Sequence, residues 1–249
     1  NRYWHWNDAK YSEKNLGMGG LLGKLFIVST PIGNLGDITF RAVETLNNVQ
    51  LIAAEDTRHS KKLLSHFNIS TPVISYFEHN RFKRIPKIIE HLNDGDNVAI
   101  ITDAGTPGIS DPAYKLIRES IVNNIIIEPI PGASASLAAL VSSGLPTDKF
   151  FFEGFLPTKK GRKKKINSVK NIEATLIYYE SPKRLQRTLK NLLEILGDRP
   201  AVVARELTKI YEEIKRGTLS ELLLYFTTKH PKGECVILVG KDDENVYFK

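Results

Sequence analysis

The sequence predicts two α/β domains with a ligand cleft between them, and three observations carry that prediction. Short apolar runs alternate with amphipathic stretches along the chain, several of those runs end in turns rich in glycine, proline and small residues, and the turn-rich segment 144–149 divides the pattern. Strands that alternate with helices at this spacing favour a mostly parallel sheet covered on both faces.

The elements follow in order. Leu25 to Val28 reads as a strand released into the turn Ser29 to Asn34, and Phe40, Val43 and Leu46 mark a helix at three-residue steps. Leu51 to Ala54 is a strand. A helix with Leu63, Leu64 and Phe67 on one face leads to a strand over Val73 to Tyr76. Ile85, Ile88, Ile89 and Leu92 repeat at i, i+3, i+4, i+7, as an amphipathic helix requires. Asp94-Gly95 turns the chain into a strand over Val98 to Thr102. Asp111-Pro112 suits a helix start, with Asp as the cap and Pro at the first helical position. A strand over Ile125 to Ile130 and a helix through Leu137 to Val141 complete a domain spanning 24–143.

After the linker 144–149, a second domain over 150–240 is predicted. Its strands are Phe150 to Phe152, Thr175 to Tyr179, Ala201 to Ala204 and Cys235 to Val239. Ser181-Pro182 opens a helix bearing Leu185, Leu189, Leu192, Leu193 and Leu196, and Thr218 with Glu221 has capping-box spacing. Residues 1–23, which carry Trp4 and Trp6, show no periodicity and are expected outside the fold; 241–249 read as a tail, in which 244–249 fit an engineered protease site or a natural frayed end equally.

Composition narrows the function. At 249 residues, with 41% hydrophobic and 25% charged residues, the chain can build well-buried cores. The one cysteine, Cys235, precludes an intramolecular disulfide and lies in an apolar run, which fits a structural thiol in a reducing compartment. No apolar stretch approaches the roughly 20 residues that span a bilayer, so a soluble, cytoplasmic protein without membrane attachment is expected. Lysine plus arginine exceed aspartate plus glutamate by 35 to 28, a net +7 that permits a polyanionic partner.

Three strand ends open into the loops Thr30 to Asn34, Asp103 to Gly108 and Pro131 to Ser136. Ligands of open α/β sheets bind just beyond the carboxyl ends of strands, and glycine lets the backbone approach them. No dinucleotide fingerprint, P-loop or nucleophile elbow occurs, and one cysteine with six scattered histidines does not suggest a metal site.

STPIGNLGDIT (29–39), AAEDTRHS (53–60), Tyr76 through Asn80, ITDAGTPGISDPA (101–113), PIPGASA (129–135), EGFLP (153–157), YYESPKR (178–184) and ARELTK (204–209) together resemble the tetrapyrrole-methylase-like, or class III, methyltransferases. The likeness runs from about Lys24 to Gly240, in order. Asp-Ala-Gly-Thr-Pro stands where porphyrin-methylating relatives carry Gly-Gly-Asp-Pro, which favours the RNA-methylating branch.

That resemblance implies S-adenosylmethionine in the cleft, a homodimer, and a substrate in the small ribosomal subunit, the ribose 2′-oxygen of a cytidine in the decoding region of 16S ribosomal RNA. By motif position it implies cofactor contacts from Pro31, Asp103, Ala104, Gly105, Ser134 and Ala135. From the second domain it adds Phe155, Leu156, Tyr179, Arg205 and Glu206. A ribose hydroxyl is a poor nucleophile, so a positioned base would help; Asp103, Glu55, Asp56 and Glu180 are candidates, with helix capping an equal alternative for Asp56.

Lys159, Lys160, Arg162, Lys163, Lys164 and Lys165 place six basic residues in seven, and His79 and Arg81 belong to a second group beside aromatics. Such groups suit RNA phosphates and unpaired bases. A small acceptor such as a tetrapyrrole, or a non-enzymatic RNA-binding module, remains an alternative.

Overall fold

The computed structural model describes residues 22–229 and 231–248; what was read into 1–21, and into His230 and Lys249, lies outside the described residues. In the first half, β1 (Lys24–Val28), β2 (Leu51–Ala54), β3 (Val73–Ser75), β4 (Val98–Ile101) and β5 (Ile126–Ile130) form one sheet in the order β3-β2-β4-β1-β5. All its pairings are parallel. Side chains alternate across a strand. Val98 and Ile100 of β4 therefore join a core on one face with Leu25, Leu51 and Leu116, while Ala99 and Ile101 join Leu46, Ile52 and Leu64 on the other. Burial on both faces explains why these strands read as continuous apolar runs.

The helices are α1 (Phe40–Asn48), α2 (Thr57–His66), α3 (Arg81–Asn93), α4 (Ala113–Val122) and α5 (Ala135–Ser143). Short polar side chains fix the starts of three of them, α1, α2 and α4. Thr39 accepts from the Ala42 N–H at 3.1 Å and Asp56 from the Arg58 N–H at 2.8 Å. Asp111 accepts from both Gly108 and Ala113 N–H groups at 2.8 Å, so it ties a loop to the head of α4. One helical position departs from expectation: Phe40, at the head of α1, points into solvent at 93% exposure.

The second sheet is mixed. It contains β6 (Phe150–Phe155), β7 (Thr175–Glu180), β8 (Pro200–Arg205), β9 (Glu213–Thr218) and β10 (Cys235–Val239), in the order β6-β7-β10-β8-β9. Only β6 and β7 run parallel. Helices α6 (Arg162–Ser168), α7 (Leu185–Leu196) and α8 (Leu219–Thr228) cover one face through a core that includes Ile166, Leu189 and Leu222. A 3-10 turn over Pro182–Arg184 precedes α7, and the Thr218–Glu221 capping box is formed at α8.

Two elements were not foreseen, and two expectations are corrected here. β9 and α6 carry no apolar periodicity: β9 is a charged edge strand, and the lysine run occupies the exposed face of α6. The expected division at Ser143 does not match the packing, because Ala139 and Leu140 of α5 pack on Ile177, Val202, Val236 and Leu238 of the second sheet. One helix from the first half thus forms the second sheet's other cover. The 241–249 segment does not fray throughout, since Val246 packs against this same cluster and the Tyr247 hydroxyl donates to the Asp198 carbonyl at 3.1 Å.

Leu140, 2% exposed at that junction, gives the arrangement a test. Leu140→Ala should lower unfolding free energy by about 2–5 kcal/mol in urea titration; an unchanged midpoint would mean that α5 is not a cover of the second sheet.

Candidate ligand site between the two sheets

The first sheet determines where a ligand can sit. After β1 the chain crosses toward β2 on one side, and after β4 it crosses to β5 on the other. Diverging connections leave a crevice at the carboxyl ends of these two neighbouring strands.

The loops around it are bound to one another. Thr30 and Gly105 form an isolated antiparallel bridge, with N···O distances of 2.9 and 3.1 Å. The Ser29 hydroxyl contacts the Thr106 hydroxyl at 2.9 Å, and Thr106 donates to the Ala133 carbonyl at 3.2 Å. Gly105 has φ +84°, a conformation that disfavours a side chain, and a Cβ on Gly132 would stand 2.8 Å from Ser29 Cβ. Gly132 is therefore required by the closeness of the loops, and Gly105 by its backbone conformation.

Above them lies a cavity of about 580 Å³, within the range of small-molecule sites. Asp103, Ala104, Gly105, Ser134, Ala135 and Glu55 line it from the first sheet, and Phe155, Tyr179, Glu180 and Glu206 from the second. The Tyr179 hydroxyl accepts from the Ser136 N–H at 3.2 Å, so the second sheet grips the head of α5, and its ring meets Phe155 edge-on at 5.5 Å. Pro31 is buried beside the lining residue Ile32, and Leu156 is buried in the second core, where it anchors the loop carrying Phe155. Arg205 is turned away, with Nε on Glu213 at 2.6 Å.

The four carboxylates separate by environment. Asp56 caps α2, and its bonds with Arg58 hold it down at about 2, so it is spent as a cap. Glu180 is buried against Arg162 at 3.1 Å and Arg184 at 2.7 Å, and it accepts from Thr188. Although it borders the cavity, two guanidinium groups and the Thr188 hydroxyl engage its oxygens and pin it as part of the framework. Glu55 accepts from the Thr102 hydroxyl at 2.5 Å. Asp103 is pushed above the usual carboxylate range, first by burial and then by Glu55, although its Oδ1 accepts from the Asp56 N–H at 3.1 Å.

The basic run also divides. Lys159, Lys160 and Lys164 are exposed, Lys163 pairs with Glu194 at 2.9 Å, and Lys165 pairs with Glu153 at 3.0 Å. Arg162 is 2% exposed and cannot meet RNA, which corrects its assignment. Arg81 is ion-paired to Glu78, whereas His79 is exposed beside Phe77. Asp111 and Lys209 line the cavity without having been singled out as site residues. In the sequence Asp111 is indistinguishable from an ordinary cap, and only the fold brings Lys209 across. Cys235 also borders the cavity, and burial pushes its thiol up to about 12, which disfavours the nucleophilic thiolate.

A parallel sheet and a mixed sheet that close on a cavity at their strand ends define the two-domain architecture of a group of solved methyltransferases. Cobalt precorrin-4 methyltransferase of cobalamin biosynthesis aligns with TM-score 0.66 and 18% identity, over 87% of this chain and 94% of that one. Uroporphyrin-III-C-methyltransferase from Thermus thermophilus aligns with TM-score 0.64 and 18% identity, over 88% and 94%. The chain belongs to the tetrapyrrole (corrin/porphyrin) methylase family, whose model matches residues 24–223. It is similar to two proteins named ribosomal RNA small subunit methyltransferase I. The one from Synechocystis sp. is 53% identical over 227 residues, covering 90% of this chain and 81% of that protein. The one from Thermotoga maritima is 48% identical over 222 residues, covering 89% and 100%.

The Arg162–Glu180 pair separates framework from surface. Arg162→Ala leaves Glu180 with one partner fewer and should destabilise the fold by about 3–5 kcal/mol in chemical denaturation, while Lys164→Ala should change it by less than about 0.5 kcal/mol. Equal, small effects would return Arg162 to the surface group.

Proposed function

We propose that this protein transfers a methyl group from S-adenosylmethionine to the ribose 2′-hydroxyl of a cytidine in the decoding region of 16S ribosomal RNA, in the cytoplasm. The observation that carries the reading is the charge of the cavity wall. Among its lining acids, Glu180 is neutralised by Arg162 and Arg184, and Glu206 and Glu234 share Lys209 at 3.0 and 3.8 Å. Glu55, Asp103 and Asp111 have no ion-pair partner among the described residues. Three such carboxylates in a partly dry cleft repel phosphate and favour a cationic ligand. S-adenosylmethionine carries a sulfonium and fits this donor set, with Ser134, Ala135 and Phe155 positioned to hold its less polar parts. When bound, it supplies a methyl group already activated for transfer.

The chain's own residues then have two tasks. The knitted loops and Phe155 hold the reacting groups in one geometry and keep water away. Asp103, raised above the ordinary carboxylate range with Oδ1 already engaged, offers Oδ2 to the ribose hydroxyl proton. Burial first, and repulsion from Glu55 second, keep Asp103 basic. The rRNA substrate is supported by the names of the relatives and by the exposed Lys159, Lys160 and Lys164 beyond the Phe155 loop. Their phosphate contacts would be salt-sensitive.

The test is methyl transfer from labelled donor to unmethylated small ribosomal subunits. The wild type should methylate a cytidine ribose, with kcat rising as pH climbs through a carboxylate pKa above 3.8, because the base works deprotonated. Asp103→Asn should lower kcat by about 10²–10⁴-fold. No transfer by the wild type, or transfer to a porphyrinogen instead, would overturn the reading.

We also propose a homodimer. Phe40, Val141, Ile210 and Tyr211 are 93%, 76%, 94% and 73% exposed, and the Asn34 N–H to Thr208 hydroxyl bond at 3.1 Å brings the first loop to the 206–212 loop. Large apolar side chains left in water are the kind of surface that association covers. Sedimentation equilibrium should give twice the 28.0 kDa chain mass and Ile210→Glu a monomer; a monomeric wild type contradicts this.

A further inference from the structure

We propose that Phe82 is a base-stacking platform that holds an unpaired nucleotide of the acceptor RNA beside the cleft, an inference that rests on the RNA reading above. Phe82 continues the stripe of Ile85 and Ile89 one turn beyond the edge of the core, where there is nothing left to bury it, and it stands 75% exposed. The Arg81 guanidinium lies 5.0 Å from its ring centroid and is itself ion-paired with Glu78. Arg81 is therefore committed within the protein, and its role is to back the ring rather than to meet phosphate.

The platform is rigid. The Phe77 N–H donates to Asn80 Oδ1 at 2.9 Å, and Asn80 Nδ2 donates to the Ser75 carbonyl and hydroxyl at 3.1 Å. This knuckle leaves β3 at the same carboxyl edge that opens on the cavity. Tyr76, just before it, donates to the Pro112 carbonyl at 3.1 Å and lines a small hollow together with Glu55 and Asp111, both of which also border the main cavity. Lys83 and Lys87 are exposed on the same helix. A fixed aromatic face among free cations is what a single-stranded nucleic acid requires, with the ring for a base and the ammonium groups for its phosphates.

Binding to unmethylated small ribosomal subunits, measured at several salt concentrations, tests this. Phe82→Ala should weaken binding about 10- to 100-fold with the salt slope unchanged, because no charge is lost, and with the thermal midpoint and S-adenosylmethionine affinity also unchanged. Lys83→Ala should instead reduce the salt slope by about one. Phe82→Trp should restore affinity and Phe82→Leu should not. Undiminished binding by Phe82→Ala, rescue by leucine as complete as by tryptophan, or loss of self-association in place of RNA affinity would each overturn the platform while leaving the RNA reading intact. A wild type that does not bind the subunits would remove both.

Discussion

The structure depends on the contact among three loops at the carboxyl edge of the parallel sheet. Two backbone hydrogen bonds join Thr30 to Gly105, and a hydroxyl chain runs from Ser29 through Thr106 to the Ala133 carbonyl. None of these bonds is strong alone, at about 0.5–1.5 kcal/mol net. Together they hold three mobile-type segments in one arrangement, which makes the site a wall rather than a set of loose turns. The small residues that look like a composition bias in the sequence follow from this closeness, since a side chain on Gly132 would collide with Ser29.

A wall needs a second side, and α5 provides it. The helix starts at the cavity with Ser134 at its cap position and then crosses to cover the mixed sheet. Tyr179 reaches back to its first turn. The two sheets therefore share an element, so the cleft between them has a set width. The buried Arg162–Glu180–Arg184 cluster does the same for the second sheet, joining the head of α6 to β7 and the turn before α7. With those charges partnered, Glu55, Asp103 and Asp111 on the opposite wall are the lining acids without an ion-pair partner among the described residues.

Much of this was legible in the sequence where one face or both faces of an element are buried. The parallel strands, the amphipathic α3 and the capping box at Thr218 follow from local pattern. What was not legible depended on tertiary pairing. β9 pairs its backbone with β8 while its side chains are mostly charged, so it carries no alternation. Arg162 reads as one of six cations and becomes structural only because Glu180, eighteen residues later, is brought against it. Glu180 and Asp56 look as reactive as Asp103 until their partners are known. Phe82 stands one turn before Ile85 in the same helix, and only the position of the sheet's edge leaves it bare.

Hydrogen exchange read by mass spectrometry, with and without S-adenosylmethionine, tests the central claim directly: that the joined loops and α5 form one donor site between the sheets. The donor should slow exchange together in 102–106, 132–138, 153–156 and 204–209, and leave the segment 77–84 unchanged. Protection confined to one of those segments, or found only elsewhere in the chain, would contradict it.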